Sequence, residues 1–156
     1  MKAVVQRARN ASVKVEGTVT GSIAWGLLVY LGVASGDSEK DACWMAEKIA
    51  NLRIFEDAQG KMNLSVKDIF TAAGSGEGPI GVITVSQFTL LADARKGRRP
   101  YYGDAAEPEK AKALYEFFIA KISEEGFASE AGVFQAHMDV NYTNDGPVTI
   151  LLDSRQ

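Results

Sequence analysis

A strict alternation of apolar and polar residues near the end of the chain limits its fold more than any other feature. In VFQAHMDVNYT, residues 133–143, the side chains of Phe134, Ala136 and Met138 fall on the apolar face. This period of two predicts a half-buried β-strand. The NDG that follows, residues 144–146, predicts a tight hairpin turn into a second strand, VTILL.

Pro147 follows this predicted turn at once. A proline has no amide hydrogen to donate to a β-ladder, so a hairpin gains little from beginning its second strand with one. An X-Pro bond does, however, adopt the cis form at a cost of only about 0.5 to 1 kcal/mol. The Gly146-Pro147 peptide therefore needs an explanation other than chain reversal.

The rest of the chain combines strands with amphipathic helices. Alternation in MKAVVQRARNASVKVEG and the apolar run GLLVYLGVA indicate strands, with a turn at Glu16-Gly17. One helix is predicted in GDSEKDACWMAEKIANLRIF, capped by Asp37 or Ser38, and another begins near Pro108. The segments EDAQGKMNLS and TAAGSGEGPIG predict a turn and a Gly-rich loop.

Length and composition indicate a single domain. With these elements, 156 residues predict one α+β domain over residues 1–156, with a mixed, mainly antiparallel sheet in a barrel-like arrangement and two helices packed on it. The single cysteine excludes an internal disulfide framework, and the longest apolar run is too short for a membrane span. We therefore expect a cytoplasmic protein with no membrane partner.

The charge of the chain is unevenly distributed. The net charge is -3, yet ARKGRRPYYG holds four cations within five residues, namely Arg95, Lys96, Arg98 and Arg99. The acidic balance argues weakly against a general nucleic-acid-binding protein. The cluster beside two tyrosines is compatible either with a solvated loop or with a site for RNA phosphates.

Residues with obvious catalytic chemistry are few. The only histidine, His137, lies one pleat from Asp139, which leaves open both a Ser-His-Asp arrangement and a plain surface residue. One His and one Cys predict no metal site. Ser86 and Thr89 place two hydroxyls at the end of a strand, but no adjacent residue supplies the base that a hydroxyl nucleophile needs. The residues alone therefore predict an α+β domain with a candidate phosphate site, and no reaction.

Two separated motifs resemble those of a known family. VSQFTLLAD followed by KGRRPYY, together with NDGPVT, is similar to the bacterial and eukaryotic D-aminoacyl-tRNA deacylases, and the similarity runs nearly end to end. The resemblance implies hydrolysis of the ester between a D-amino acid, or glycine mischarged on tRNA-Ala, and the terminal ribose of tRNA, without metal or organic cofactor. It also implies a homodimer in which a cis Gly146-Pro147 peptide enters the partner's site and excludes L side chains.

The same resemblance implies roles for individual residues. Backbone amides around Phe88 and Thr89 would hold the oxyanion, while the free 2'-hydroxyl of the ribose helps to activate water. The implied catalytic residues are Ser86, Gln87, Phe88 and Thr89. The implied substrate-binding residues are Gly146, Pro147, Phe134, Ala136, Met138 and Arg7, of which the last would brace the Gly-Pro segment. The implied tRNA contacts are Arg95, Lys96, Arg98 and Arg99.

Two features depart from the usual pattern of that family. Gln135 stands where the family usually reads FGA, so the size or rim of the pocket is expected to differ. The loop TAAGSGEGPIG, residues 71–81, is longer than the usual link. Two other functions stay open, neither with DNA as a partner: a Ser/Thr esterase of small esters that uses His137 with Asp139, and a non-catalytic RNA-binding module that uses the basic cluster.

Overall fold

The computed structural model describes residues 1–73 and 78–155. The strands are β1 Lys2–Val15, β2 Thr18–Gly32, β3 Phe55–Glu56, β4 Met62–Leu64, β5 Ile80–Ser86, β6 Ala128–Ala131 and β7 Asp139–Asp153. The helices are α1 Glu39–Ala50, α2 Val66–Ala73 and α3 Pro108–Ser123, with a 3-10 helix over Phe88–Leu91. The predicted α+β class is confirmed. No helix within the described ranges is long and apolar enough to cross a membrane.

Five strands form one open, mixed sheet in the order β6-β5-β2-β1-β7. The antiparallel β1-β2 hairpin turns at Glu16 and Gly17, whose φ angles of 50° and 80° suit a two-residue turn. β7 is antiparallel to β1, whereas β5 is parallel to both β2 and β6. Because β6 and β7 remain edge strands, the sheet does not close, and the barrel-like part of the prediction is wrong.

The two predicted helices share a core with the sheet. Ser38 precedes α1, and its N–H donates to the Asp41 carboxylate at 2.9 Å. Pro108 is the first residue of α3, where its missing N–H needs no partner. The residues that form this common core include Val5, Leu27, Met45, Ile49, Phe118 and Ile122. Both helix predictions are confirmed.

A third helix, α2, lies where the sequence analysis predicted none. The Ser65 N–H donates to the Asp68 carboxylate at 2.7 Å, and the Ser65 hydroxyl accepts from the Asp68 N–H at 3.3 Å. This exchange is a capping box, so the S-x-x-D spacing was a signal available in the sequence. α2 includes the start of the predicted loop 71–81, of which residues 74–77 lie outside the described residues.

The predicted hairpin at residues 144–146 is wrong, because β7 continues through it. Asn144 pairs with Ala8 of β1 and Thr149 pairs with Gln6, so residues 145–148 lie opposite Arg7 alone. We call residues 145–148 the Gly-Pro bulge. The Asp-Gly pair is accommodated by a bulge because β1 is long enough to pair with both halves of β7.

The predicted strand over residues 133–143 begins only at Asp139. Residues 134 and 135 form a turn, since Gln135 has a φ of 63° that ends the extended backbone. The alternation of burial nevertheless continues through the turn, where Phe134, Ala136 and Met138 are partly buried between exposed neighbours. The sequence period therefore predicted which side chains face inward but not the conformation of their backbone.

Candidate active site

A cleft of about 760 Å³ lies at the end of β5, beside the 3-10 helix, the start of α3 and the turn at residues 134–138. Its volume is in the range of small-molecule sites. The predicted site residues that line it are Ser86, Gln87, Phe88, Phe134, Ala136 and Met138. Two segments that are far apart in the sequence, residues 86–88 and 134–138, thus meet around one cavity.

The N-terminus of the 3-10 helix supplies backbone donors beside this cleft. The first N–H groups of a helix have no partner within it. In the described part of the chain, no protein acceptor is found for the N–H of Phe88 or of Thr89. Two adjacent amides are therefore free to bind a negatively charged oxygen.

Thr89 lies just beyond the cleft lining and is exposed. Its hydroxyl accepts a hydrogen bond from the side-chain amide of Gln87, which itself lines the cleft. The Gln87 backbone N–H is occupied by Leu31 O at 2.9 Å. These contacts orient the Thr89 hydroxyl next to the free amides, but they give it no base that could make it a nucleophile.

The cleft offers few groups that could act as a base. Among the described residues that line it, the titratable side chains are Tyr115 and His137. Burial raises the pKa of the Tyr115 hydroxyl above its usual value, and that hydroxyl donates to Thr84 O at 2.9 Å. His137 has a side chain 95% exposed, and its Nε2 lies 3.9 Å from Asp139 Oδ1, too far for a hydrogen bond. The geometry of the esterase alternative is thus incomplete.

The tip of the Gly-Pro bulge lies outside the cleft of its own chain. Gly146 and Pro147 are exposed, the peptide between them is cis, and neither is among the described residues that line the cleft. Arg7, only 6% exposed, lies against the bulge. Its Nε donates to Asp145 O at 3.2 Å and its Nη1 to Ile54 O at 2.8 Å. The bulge is therefore attached at its base and open at its tip.

The basic loop, residues 95–99, leaves and rejoins the body of the protein at one point. There the backbones of Asp93 and Tyr101 exchange hydrogen bonds of 2.8 and 2.9 Å. Nε and Nη2 of Arg95 donate to the Asp93 carboxylate at 2.9 and 2.6 Å, and these bonds lower the pKa of Asp93 to about 2. The described ranges contain no such ion pair for Lys96, Arg98 or Arg99. Three of the four predicted cations are therefore available to a phosphate.

Sequence reasoning missed two contributors to this region. Tyr115 lines the cleft, and Tyr102 packs edge-on against Phe88 with ring centroids 5.1 Å apart. Gln135 also lines the cleft, at the position where the sequence led us to expect a different size or rim of the pocket. The helical spacing correctly placed Tyr115 on the buried face of α3 but could not reveal the cleft beneath it. Tyr102 connects the cleft to the basic loop through the Phe88 ring, which is 59% exposed.

Comparison with known proteins shows the family of this chain. Residues 4–153 match the family model described as D-Tyr-tRNA(Tyr) deacylase. The chain belongs to this deacylase family. The D-aminoacyl-tRNA deacylases of Koribacter versatilis and Kosmotoga olearia are 56% and 57% identical to it over 156 residues, which is 100% of this chain and 99% of each relative. The predicted family and the prediction of an enzyme are thus confirmed at the level of a tRNA deacylase.

Solved structures support the same fold for this member of the deacylase family. A structure titled c-Myc DNA Unwinding Element Binding Protein is 38% identical, superposes with a TM-score of 0.86 and covers 98% of both chains. A probable eukaryotic D-amino acid tRNA deacylase is 14% identical, with a TM-score of 0.78 and coverage of 97% of both chains. At that low identity the second likeness shows the fold alone.

Proposed function

We propose that this protein hydrolyses the ester bond of D-aminoacyl-tRNA, and of glycyl-tRNA mischarged on tRNA-Ala, to release the free amino acid and tRNA. The observation that carries the proposal is the cleft at the free N-terminus of the 3-10 helix, in a chain of the deacylase family. The names of the two bacterial relatives support this choice of substrate.

The free amides of Phe88 and Thr89 would stabilise the transition state. When water attacks the ester carbonyl, the carbonyl oxygen gains negative charge, and two N–H donors stabilise that charge. The C–O bond to the ribose then breaks, and the departing ribose oxygen takes up a proton. Phe88 lines the cleft, which supports its amide as a donor to an ester bound there.

The substrate itself would supply the group that activates water, which the cleft lacks. The described lining contains no carboxylate, and burial raises the pKa of the Tyr115 hydroxyl still further above neutral pH, so it cannot act as a base. The 2'-hydroxyl of the terminal ribose stands next to the ester and can take part in activating water. The role left to Thr89 is to orient the ribose or the water through its hydroxyl, which Gln87 holds in place.

Selection against L-amino acids would come from the Gly-Pro bulge of a second subunit. In a homodimer, the exposed tip at Gly146 and Pro147 can enter the partner's cleft and form a rigid wall that an L side chain would strike. Two features support this arrangement. The tip lies outside its own cleft, and β7 is an edge strand on which Leu151 is 75% exposed. Glycine has no side chain to exclude, so glycyl-tRNA would pass the same filter.

The basic loop would bind the phosphates of the acceptor stem. Lys96, Arg98 and Arg99 are exposed, and Tyr102, which follows their loop in the chain, contacts Phe88 of the cleft lining. Such contacts position the RNA without reading its sequence. The cytoplasmic location stays a prediction.

The test of this function is hydrolysis of D-tyrosyl-tRNA and glycyl-tRNA by purified wild-type and His137→Ala protein. We expect both substrates to be cleaved and the variant to match the wild type, because His137 is exposed and its Nε2 is 3.9 Å from Asp139 Oδ1, too far for a hydrogen bond. Loss of cleavage in the variant would favour the esterase alternative. Salt-sensitive tRNA binding without cleavage by either protein would favour the RNA-binding module.

The subunit arrangement has its own test, which mixes equal amounts of two variants. One variant carries a damaged cleft and is inactive, and the other carries a damaged Gly-Pro bulge and cleaves the L ester as well as the D ester. Random exchange of subunits should lower L-ester hydrolysis by about half, because half of the intact clefts then face an intact bulge of the partner subunit. Unchanged L-ester hydrolysis after exchange would show that cleft and bulge act within one chain.

A further inference from the structure

Two arginines contact the carboxylate of Asp145, the first residue of the Gly-Pro bulge. Arg7 Nε lies 3.5 Å and Arg9 Nε lies 3.2 Å from Asp145 Oδ2. Arg7 also donates to the Asp145 carbonyl oxygen at 3.2 Å. The residue directly before Gly146 is thus held by its backbone and by its side chain.

The bulge needs such contacts because the ladder does not fix it. Regular pairing with β1 stops at Asn144 and resumes at Thr149. Gly146 has a φ of 125°. Because glycine has no side chain, its backbone is freer than that of any other residue type. Without other contacts the tip would sample many orientations, and fixing them costs conformational entropy.

Arg9 is itself held in place by an aromatic side chain of β2. Arg9 pairs with Trp25 across the β1-β2 ladder, so both side chains lie on one face of the sheet. The Arg9 guanidinium lies 4.6 Å from the centroid of the Trp25 ring. Trp25 packs edge-on against Phe55, which is fully buried, with centroids 5.5 Å apart. A continuous set of contacts therefore links the core to Asp145.

We infer that Asp145, held by Arg9 on the Trp25 ring, is a positioning residue that fixes the orientation of Gly146 and Pro147 and so sets the selectivity between D and L substrates. The inference rests on the proposed function and extends it to three residues outside the described lining of the cleft. A planar guanidinium can stack on an indole ring while its N–H groups donate directed hydrogen bonds to a carboxylate, whereas the compact ammonium of lysine has no such plane to stack. Lysine at position 9 should therefore not replace arginine.

The experiment measures kcat and KM for D-tyrosyl- and L-tyrosyl-tRNA with wild type, Asp145→Asn, Arg9→Lys and the double variant. We expect each single variant to lower the ratio of D to L hydrolysis about tenfold, in line with the loss of one charged hydrogen bond. The double variant should show little further loss, because both changes break the same contact. Since Arg9 has a side chain 49% exposed, its substitution should leave the protein folded, which circular dichroism checks.

The matched control is Asp153→Asn on the same strand, whose carboxylate accepts from the Arg155 N–H at 3.0 Å, away from the bulge. The Asp153→Asn variant should keep the wild-type ratio of D to L hydrolysis. If wild type discriminates while Asp145→Asn and Arg9→Lys keep its ratio, the inference is wrong and the proposed function stands. If wild type cleaves neither ester, the proposed function and this inference fall together. A lower melting temperature with an unchanged ratio of D to L hydrolysis would likewise show that Asp145 and Arg9 have a purely structural role.

Discussion

The free amide of Phe88 can be removed while its backbone conformation is kept. Phe88 is the first residue of the 3-10 helix, a position that tolerates proline because its N–H is not needed there. Gln87 before it has φ -145° and ψ 82°, outside the helical region that a following proline disfavours. Phe88→Pro therefore deletes one proposed oxyanion donor with little disturbance of the chain.

The matched control is Phe88→Ala, which keeps the N–H and loses the ring as the proline variant does. The ring is 59% exposed and contacts Tyr102, so its loss should cost about 0.5 to 1.5 kcal/mol of stability in both variants. Any difference in rate between the two variants then reports on the amide. Loss of one oxyanion donor typically lowers kcat by about 100-fold to 1000-fold.

The assay is single-turnover hydrolysis of D-tyrosyl-tRNA by both variants, with melting temperatures to show that they are folded. We expect Phe88→Pro to be about 100-fold to 1000-fold slower than Phe88→Ala. Equal rates in two folded variants would refute the reasoning, since the amide would then contribute nothing to the reaction.

Gly146→Ala is expected to lower D-ester hydrolysis and melting temperature together, because the added Cβ would lie 2.8 Å from Val148 Cγ2 and 3.1 Å from Arg7 Nη2 at a φ of 125°. Such strain costs about 1 to 3 kcal/mol, and unchanged rates and stability would contradict this account. Gln135→Gly should raise the free energy of unfolding in urea by up to about 1 kcal/mol, since a left-handed backbone suits glycine. A decrease would show that the Gln135 side chain stabilises the fold. Thr89→Ala should keep measurable activity, whereas complete loss in a folded variant would favour Thr89 as a covalent nucleophile. Raising salt from about 50 to about 200 mM should weaken tRNA binding about 30-fold if three cations of the basic loop contact phosphates. A flat response would remove that assignment.

Local patterns in the sequence predicted what depends on local physics. The spacing of apolar residues identified α1 and α3, and Pro108 marked the first residue of α3. Glu16-Gly17 identified the β1-β2 turn, because few residues accept positive φ angles. Each of these signals acts within a few residues, so the sequence alone suffices to read it.

The sequence failed where a distant partner decides the local structure. Asp145-Gly146 has the composition of a hairpin turn, yet it forms a bulge because β1 pairs with β7 on both sides of it. The alternation around Gln135 indicates a strand, yet the backbone turns there. The side chains of Phe134, Ala136 and Met138 are nevertheless partly buried between exposed neighbours. The ion pairs of Arg7 and Arg9 with Asp145 join residues at opposite ends of the chain, which no local pattern reveals.

The most direct test of the central claim compares the hydrolysis rates of D-tyrosyl-tRNA and L-tyrosyl-tRNA, matched in tRNA, by the purified wild-type protein. We expect rapid loss of the D ester and survival of the L ester at its uncatalysed rate. Equal cleavage of both esters would contradict the role of the Gly-Pro bulge. Cleavage of neither would contradict the proposed activity itself.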